Sequence, residues 1–415
     1  MLAQWGHSWS SSGVGMAGVW GALLLAAAAL AGYLLQRRWH LPKVLGYAAV
    51  GTVAGLLGFS AAPWPLQGPA LYLLELGVAI VLFECGGRLP LRWFRHNPMV
   101  LVQSLAEAAC TYVAVFYTLR WLALPASTAA ALALIAMAAS PLVLARVVGD
   151  TRSAGPVTDR AMALATLSTL YALALGSAKA QMLTAPAATL WQEVVAVLAV
   201  LGIAVAVALL LCGALRLALH WMSPSSENTA IVMLACIAAA AALASLTGGS
   251  AALSALLGGM LLKHIYPKPW AWPQQLGILS ALITMAILVL VATVAAQAGW
   301  HPGVALFALA LVLARWLGKA AGVGLGHLGS GASWQQSLWV ACAMAPMSAV
   351  ALLITSQLAA AAPARDPAIA AMALPAILLM ELLGAWLATW ALRRAKEALP
   401  PPTTARSTPP TTPGA

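Results

Sequence analysis

The chain reads as long apolar runs separated by short breaks of charge, proline and glycine. Cutting at those breaks predicts about thirteen helices, near residues 15–35, 41–60, 69–86, 98–120, 127–148, 159–180, 188–220, 228–247, 249–264, 275–297, 302–326, 334–358 and 367–392. Most of these runs approach the roughly 20 residues a helix needs to cross a hydrocarbon core at ~1.5 Å per residue. A helix pairs every backbone polar group within its own segment, which is why it is the default spanning element. The pattern therefore predicts an all-α membrane protein of about thirteen transmembrane helices.

Two features interrupt the apolar pattern from within. The first is residues 302–326, PGVALFALALVLARWLGKAAGVGLG, where Arg315 and Lys319 stand in the middle of a would-be span. A cation there costs roughly 2.5–3.5 kcal/mol on insertion scales, and two of them four residues apart share one helix face. That face must look into protein or water. Arg315 reads either as the neutraliser of a buried acid or helix end, or as part of a site. Lys319 is flanked by Gly318 and Gly322, which let another helix come close, and reads as functional. The second feature is a pair of mid-span prolines, in Ala139-Ser140-Pro141 of span five and Ala345-Pro346-Met347 of span twelve. Proline has no N–H to donate and clashes with the preceding turn, so both helices should kink or unwind there. One proline kink is commonplace in a membrane helix, whereas matched interruptions in two halves point to a transporter's binding site.

The matching predicts an organisation. Thirteen spans divide as an extracytoplasmic N-terminus (1–14), a first repeat (15–186), a linking helix (187–221), a second repeat (222–393) and a disordered tail (394–415), Pro- and Thr-rich from Pro400. Units offset by seven spans have opposite orientation, giving two inverted six-helix repeats with crossed discontinuous helices. On that register Glu107 in span four answers Lys319 in span eleven, an acid and a base facing one another from opposite halves.

Composition narrows the class. Hydrophobic residues make up 62% of the 415 and charged ones 7%, with mean hydropathy +0.91. A soluble domain carries about a quarter charged residues, so little of this chain lies outside a bilayer. The net charge of +11 is spread singly and in pairs between apolar runs, which reads as a topology signal and not as a nucleic-acid surface. With the N-terminus outside, Arg37, Arg38, Lys43, Arg88, Arg92, Arg95, Arg146, Arg152, Arg160, Arg216, Lys263, Lys268, Arg393, Arg394, Lys396 and Arg406 fall on the cytoplasmic side. Only Arg120, Lys179 and Arg365 fall outside, in keeping with the positive-inside rule. Residues 1–14 hold no Lys or Arg, and the first apolar run is stopped by Arg37 and Arg38, so it reads as an anchor and not as a cleavable signal. The five cysteines (Cys85, Cys110, Cys212, Cys236, Cys342) show no CxxC and no Cys/His cluster, hence no disulfide framework and no metal site. There is no HExxH, nucleophile elbow or glycine-rich phosphate loop, and the histidines cluster at span ends, so neither an enzyme nor a cofactor is expected.

Several stretches resemble the monovalent cation/proton antiporters, the superfamily of bacterial sodium/proton exchangers and Kef-type potassium/proton antiporters. LPKVLGYAAVGTVAGLLGF (41–59) is similar to the family's early helix with its Pro-x-x-x-Gly-Tyr opening. LLELGVAIVLFECGGRLPLRWFR (73–95) is similar to its Glu-Leu-Gly and Leu-Phe-Glu-x-Gly-Gly pattern, with Glu75 and Glu84 on those acids. LTGGSAALSALLGGMLLK (246–263) resembles the small-residue helix of the second half. The resemblance covers residues 15–392. It implies a homodimer in a bacterial-type inner membrane, surrounded by lipid, exchanging monovalent cations for protons, with a mobile core moving against a dimerisation domain. It also implies that span five matches the family's Ser-Thr or Thr-Asp-Pro break, reduced here to Ser140 before Pro141. Span twelve matches a Pro-Arg-Gly-Glu-like break, here Pro346 followed by Met347, Ser348 and Ala349. Lys319 falls on a basic residue kept opposite the ion site. Span six departs most: where the family carries an acidic, Asn-Asp or Gln-Asp pair nine and ten residues after a basic residue, counting from Arg160 gives Thr169 and Leu170, or Ser168 and Thr169 with a one-residue slip.

A cation site in lipid needs oxygen ligands, and proton coupling needs a titrating group; burial disfavours the charged form of acids and bases alike, so either type serves. Lys319 is the expected proton carrier, with Glu107 as partner or alternative carrier. Ser140, Ser168, Thr169, Ser348 and carbonyls freed beside Pro141 and Pro346 are expected to line the path. Glu75, Arg315 and Glu381 are secondary candidates, and a structural role is the other reading of Glu75, Glu84 and Glu107. Without an acid beside it, Lys319 would favour an anion. Three functions stay open: cation/proton antiport, transport of another small solute or anion on the same scaffold, and a non-transporting membrane subunit whose Lys319 and Thr169 region is packed dry.

Overall fold

The computed structural model describes residues 13–59, 66, 68–89, 91–183, 189–266, 274–327, 331–347, 349–361 and 367–399. Their regular structure is entirely helical: α1 (Gly13–Trp39), α2 (Lys43–Leu56), α3 (Gly68–Gly87), α4 (Leu91–His96), α5 (Pro98–Trp121), α6 (Ala126–Met137), α7 (Pro141–Thr151), α8 (Pro156–Met182), α9 (Leu190–Trp221), α10 (Glu227–Leu246), α11 (Ala251–Ile265), α12 (Gln274–Ala296), α13 (Pro302–Leu325), α14 (Trp334–Ala343), α15 (Ala349–Ala361) and α16 (Pro367–Arg394). Among the described residues ten helical stretches are long and apolar enough to cross a membrane, with α6 and α7 counted as one; α2, α11 and α15 are apolar but shorter. The predicted spans at 127–148 and 334–358 are each two half-helices, α6/α7 and α14/α15, because Pro141 and Pro346 interrupt the backbone ladder. The short α4 escapes the apolar pattern; its Phe94 is buried while Arg92, Arg95 and His96 are exposed.

Starts and stops follow local chemistry. Thr189 and Ser333 form capping boxes with Gln192 and Gln336, and Ser226 and Ser250 cap α10 and α11, each side chain satisfying a first-turn N–H that has no partner in its own helix.

Two groups of helices result. In one, α5 lies against α13, with α6, α7, α8, α14, α15 and α16 around them; in the other, α3 packs on α11, α2 on α1 and α12, and α9 on α10 and α11. The groups meet along a seam where α8 touches α9, α16 touches α2 and α12, and α7 touches α2 and α3. Large apolar side chains such as Leu23 and Leu30 of α1 and Leu198, Leu209 and Leu210 of α9 are exposed, as expected of surfaces that face lipid.

The described chain extends past the boundary expected at 394, as turns and not as helix. After α16 the chain turns back, and Glu397 accepts hydrogen bonds from the first N–H groups of α8, Val157 (2.8 Å) and Thr158 (2.7 Å). The Pro/Thr-rich stretch beyond Leu399 lies outside the described residues, as do residues 1–12.

Candidate functional site

The site begins with the two breaks. After Met137, Ala138 and Ser140 adopt extended backbone (ψ 127° and 91°), and Pro141 starts α7 at its first turn, where no N–H is needed. Ser140 caps α7, its hydroxyl accepting from the Val143 N–H at 3.3 Å. In the other half, Met344 to Met347 separate α14 from α15. The two interruptions touch: the Ser140 N–H donates to the Pro346 carbonyl at 3.0 Å. Pro141 and Pro346 therefore meet in a crossing of discontinuous helices.

Unwinding leaves the last carbonyls of α6 and α14 without intrahelical donors, and helix C-termini carry partial negative charge. Arg315 of α13 answers both. Its Nε donates to Ala136 (2.9 Å), Nη2 to Ala138 (2.9 Å) and Pro346 (3.4 Å), and Nη1 to Ala345 (2.7 Å), with the Met380 sulfur of α16 at 3.6 Å. Of the two readings open for Arg315, this placement is that of the helix-end neutraliser, in a fork geometry that a point-charge ammonium does not reproduce.

Lys319 stands one turn further along α13, buried, and makes an ion pair with Glu107 of α5. Its ammonium also donates to the Met137 carbonyl (3.2 Å) and to the Ser168 hydroxyl (3.4 Å). The helices come this close because Gly318 and Gly322 of α13, and Gly326 just past its end, lie against Thr111, Glu107 and Gln103 of α5 in antiparallel register. A Cβ built on Gly318 would fall 2.7 Å from the Thr111 Cα. Small residues at this spacing are what lets membrane helices approach. Thr111 adds a contact to Glu107 Oε1 (3.3 Å), and Gln103 reaches across to the Val323 carbonyl (2.8 Å). Glu107 Oε2 has no hydrogen-bond partner among the described residues.

From α8, Ser168 donates to the Met137 carbonyl at 2.6 Å, and the Thr169 hydroxyl lies 2.7 Å from the Ala139 carbonyl. The helix where an acid was expected by resemblance thus offers two hydroxyls that hold the first break. The structure brings Lys319, Glu107, Ser140, Pro141, Ser168, Thr169, Pro346 and Arg315 to one place; Ser348 lies outside the described residues. Glu75 stands apart, accepting from Gln357 of α15 (2.8 Å) and Ser245 of α10 (3.4 Å). Glu381 is fully buried on α16 with neither oxygen hydrogen-bonded among the described residues, and it joins no ion pair there. Glu84 pairs with Arg88 at the end of α3.

A cavity of about 580 Å³ lies near the pair, although neither Lys319 nor Glu107 lines it. It runs between α5, α6, α8 and α9, from Lys179 and Glu193 at its mouth, paired at 3.2 Å, down to Ala108 and Met137, the immediate neighbours of the ion pair. Its walls are mainly apolar, with Tyr112 as a further polar group.

The residues that sequence reasoning missed are Gln103 and Thr111, polar positions one turn either side of Glu107, and the carbonyls of Ala136, Ala138 and Ala345. The spacing Gln103, Glu107, Thr111 is a visible polar stripe at i, i+4, i+8 on an otherwise apolar helix. The carbonyls leave no sequence signal.

Comparison with known proteins adds the following. A family model described as sodium/hydrogen exchanger, transmembrane, matches residues 25–393. A solved structure of the sodium proton antiporter MjNhaP1 from Methanocaldococcus jannaschii at pH 8 superposes with a TM-score of 0.67, at 15% identity over 91% of this chain and 98% of that one. A second MjNhaP1 structure, from an electron-microscopy map, gives a TM-score of 0.72 at 16% identity over 93% and 99%. At these identities the likeness is one of fold. No curated protein sequence matches.

Proposed function

This chain belongs to the sodium/hydrogen exchanger transmembrane family, and on that premise we propose that it is a secondary antiporter exchanging a monovalent cation, Na⁺ or K⁺, for a proton by alternating access. The observation that carries the reading is the buried Lys319–Glu107 ion pair beside the helix crossing, next to Ala108 and Met137 of the cavity lining.

The pair supplies a charge-balanced exchange. With Lys319 protonated, ammonium and carboxylate neutralise each other. When Lys319 releases its proton, the Glu107 carboxylate is left uncompensated, and its Oε2, which has no hydrogen-bond partner among the described residues, the Ser168 hydroxyl and the Met137 carbonyl form an oxygen-lined place suited to a desolvated monovalent cation. Proton and cation thus alternate on one carboxylate, one charge leaving as one enters. Arg315 is spent on helix-end carbonyls and takes no part in that exchange. Anion transport has less support, since it rested on a Lys319 without an acid beside it. Two inverted repeats built around the crossing, a homodimer, an inner-membrane location and an external N-terminus complete the proposal.

The test is flux in proteoliposomes under an imposed pH gradient, screened over sodium, potassium, lithium and a set of anions. A cation-dependent proton movement is expected, lost in Lys319→Ala and in Glu107→Gln while both variants still fold. Unchanged proton-coupled flux in Lys319→Ala rejects the assignment of the carrier, and an anion-dependent signal with no cation dependence rejects the antiport reading.

A further inference from the structure

The cavity lies near one end of the molecule, and polar contacts cross the seam at both ends: at the cavity end Lys179 of α8 pairs with Glu193 of α9 and Gln181 of α8 donates to the Gly248 carbonyl. The cavity mouth at Lys179 and Glu193 is beside the last turns of α8. The α7–α8 turn is at that helix's other end, ~40 Å away for 27 residues. There Asp150, near the end of α7, reaches across the seam. Its carboxylate accepts from the Lys43 backbone N–H at 2.8 Å, stands 4.0 Å from the Lys43 ammonium, and is 3.5 Å from the Gln36 amide. Two more contacts cross the seam at this end: Arg146 of α7 donates to Thr284 of α12 at 3.2 Å, and Arg393 of α16 donates to the His40 carbonyl.

We propose that Asp150 is a positioning residue of the transport cycle: its bonds to Lys43 and Gln36 hold the seam shut at the end opposite the cavity, and the pair becomes accessible from that end only when Asp150 lets go. This rests on the alternating-access reading above. The carboxylate joins a helix of one packing group to the first turn of α2 and to α1 of the other, so relative movement of the groups must break it. It also accepts from the first N–H of α2, where a helix N-terminus favours an anion, so the contact combines charge, dipole and hydrogen bond. The turn that follows Asp150 is itself fixed by the end of the chain. Leu399 N–H donates to the Thr151 carbonyl at 3.2 Å, Ala154 N–H to the Glu397 carbonyl at 3.1 Å, and the Glu397 carboxylate holds Val157 and Thr158. Asp150 is thereby presented to Lys43 by a braced turn. At the cavity end Lys179 and Glu193 also bridge the seam, but there the cavity lies beside the bridge.

The experiment measures which end is open and does not depend on transport. A single cysteine at cavity-lining Ala109 is introduced into protein whose five native cysteines have been replaced, and its labelling by a water-soluble thiol reagent is timed in detergent. Asp150→Asn is expected to slow labelling about fivefold or more, a typical coupling between two states, because molecules shift to the form closed at the cavity. Lys43→Met, which keeps the backbone N–H, should give a smaller slowing in the same direction. The exchange Lys43→Asp with Asp150→Lys should restore part of the rate. Unchanged labelling in Asp150→Asn overturns the proposal, and if that variant fails to fold, unchanged labelling in Lys43→Met does so. Altered labelling in a protein that moves no cation would uphold the contact and reject the antiport reading, so the two fail separately.

Discussion

Arg315 shows how a single residue can be required by chemistry it does not perform. Its guanidinium reaches carbonyls at two helix breaks, of which those of Ala136, Ala138 and Ala345 depend on it for a side-chain donor, at about 1–3 kcal/mol each. Lysine carries the same charge but only three protons at one point. Arg315→Lys is therefore expected to lower stability by about 3 kcal/mol or more, read as a drop in melting temperature in detergent. Lys319 differs in having a carboxylate for a partner, the contact on which the proposed exchange of its proton for another cation rests. Chain position alone puts Arg315 and Lys319 on one face; it does not say that one meets backbone and the other a carboxylate.

At the scale of the element, the approach of α5 and α13 decides whether the ion pair exists. Gly322 leaves no room for a Cβ against the Glu107 backbone, so Gly322→Ala must push the helices apart and with them Glu107 from Lys319. A lower melting temperature and loss of cation-dependent flux are expected. A Cβ placed on Gly202 of α9 would meet nothing within 4 Å, and Gly202→Ala should be unchanged or more stable by up to ~1 kcal/mol, since alanine is the better helix former. Comparing the two variants separates close approach from helix propensity. The broken helices follow the same logic: a proline in the sequence says that the ladder stops, and Ser140 N–H donating to Pro346 says what replaces it.

Across the whole molecule, the end of the chain braces the core. Glu397 caps α8, the helix that carries Ser168 and Thr169, so truncation after Leu399 should leave the melting temperature unchanged, whereas truncation after Arg394 should cost about 1–2 kcal/mol, the worth of a cap with its charge–dipole term. Equal stability of the two truncations would remove the brace. The all-helical membrane pattern, most helix limits to within a few residues, the two breaks and the pairing of Glu107 with Lys319 were legible in the sequence, because bilayer burial writes itself into apolar runs and a proline marks a missing N–H wherever it stands. The short α4 and the docked residues 395–399 were not, since each is held by a few long-range contacts in polar sequence. The carbonyl contacts of Arg315, the seam contact of Asp150 and the lack of a partner for Glu381 among the described residues were decided by tertiary structure alone. Which carbonyl, carboxylate or apolar wall a buried polar group meets depends on how distant helices are laid together, and backbone acceptors are the same at every residue of the chain.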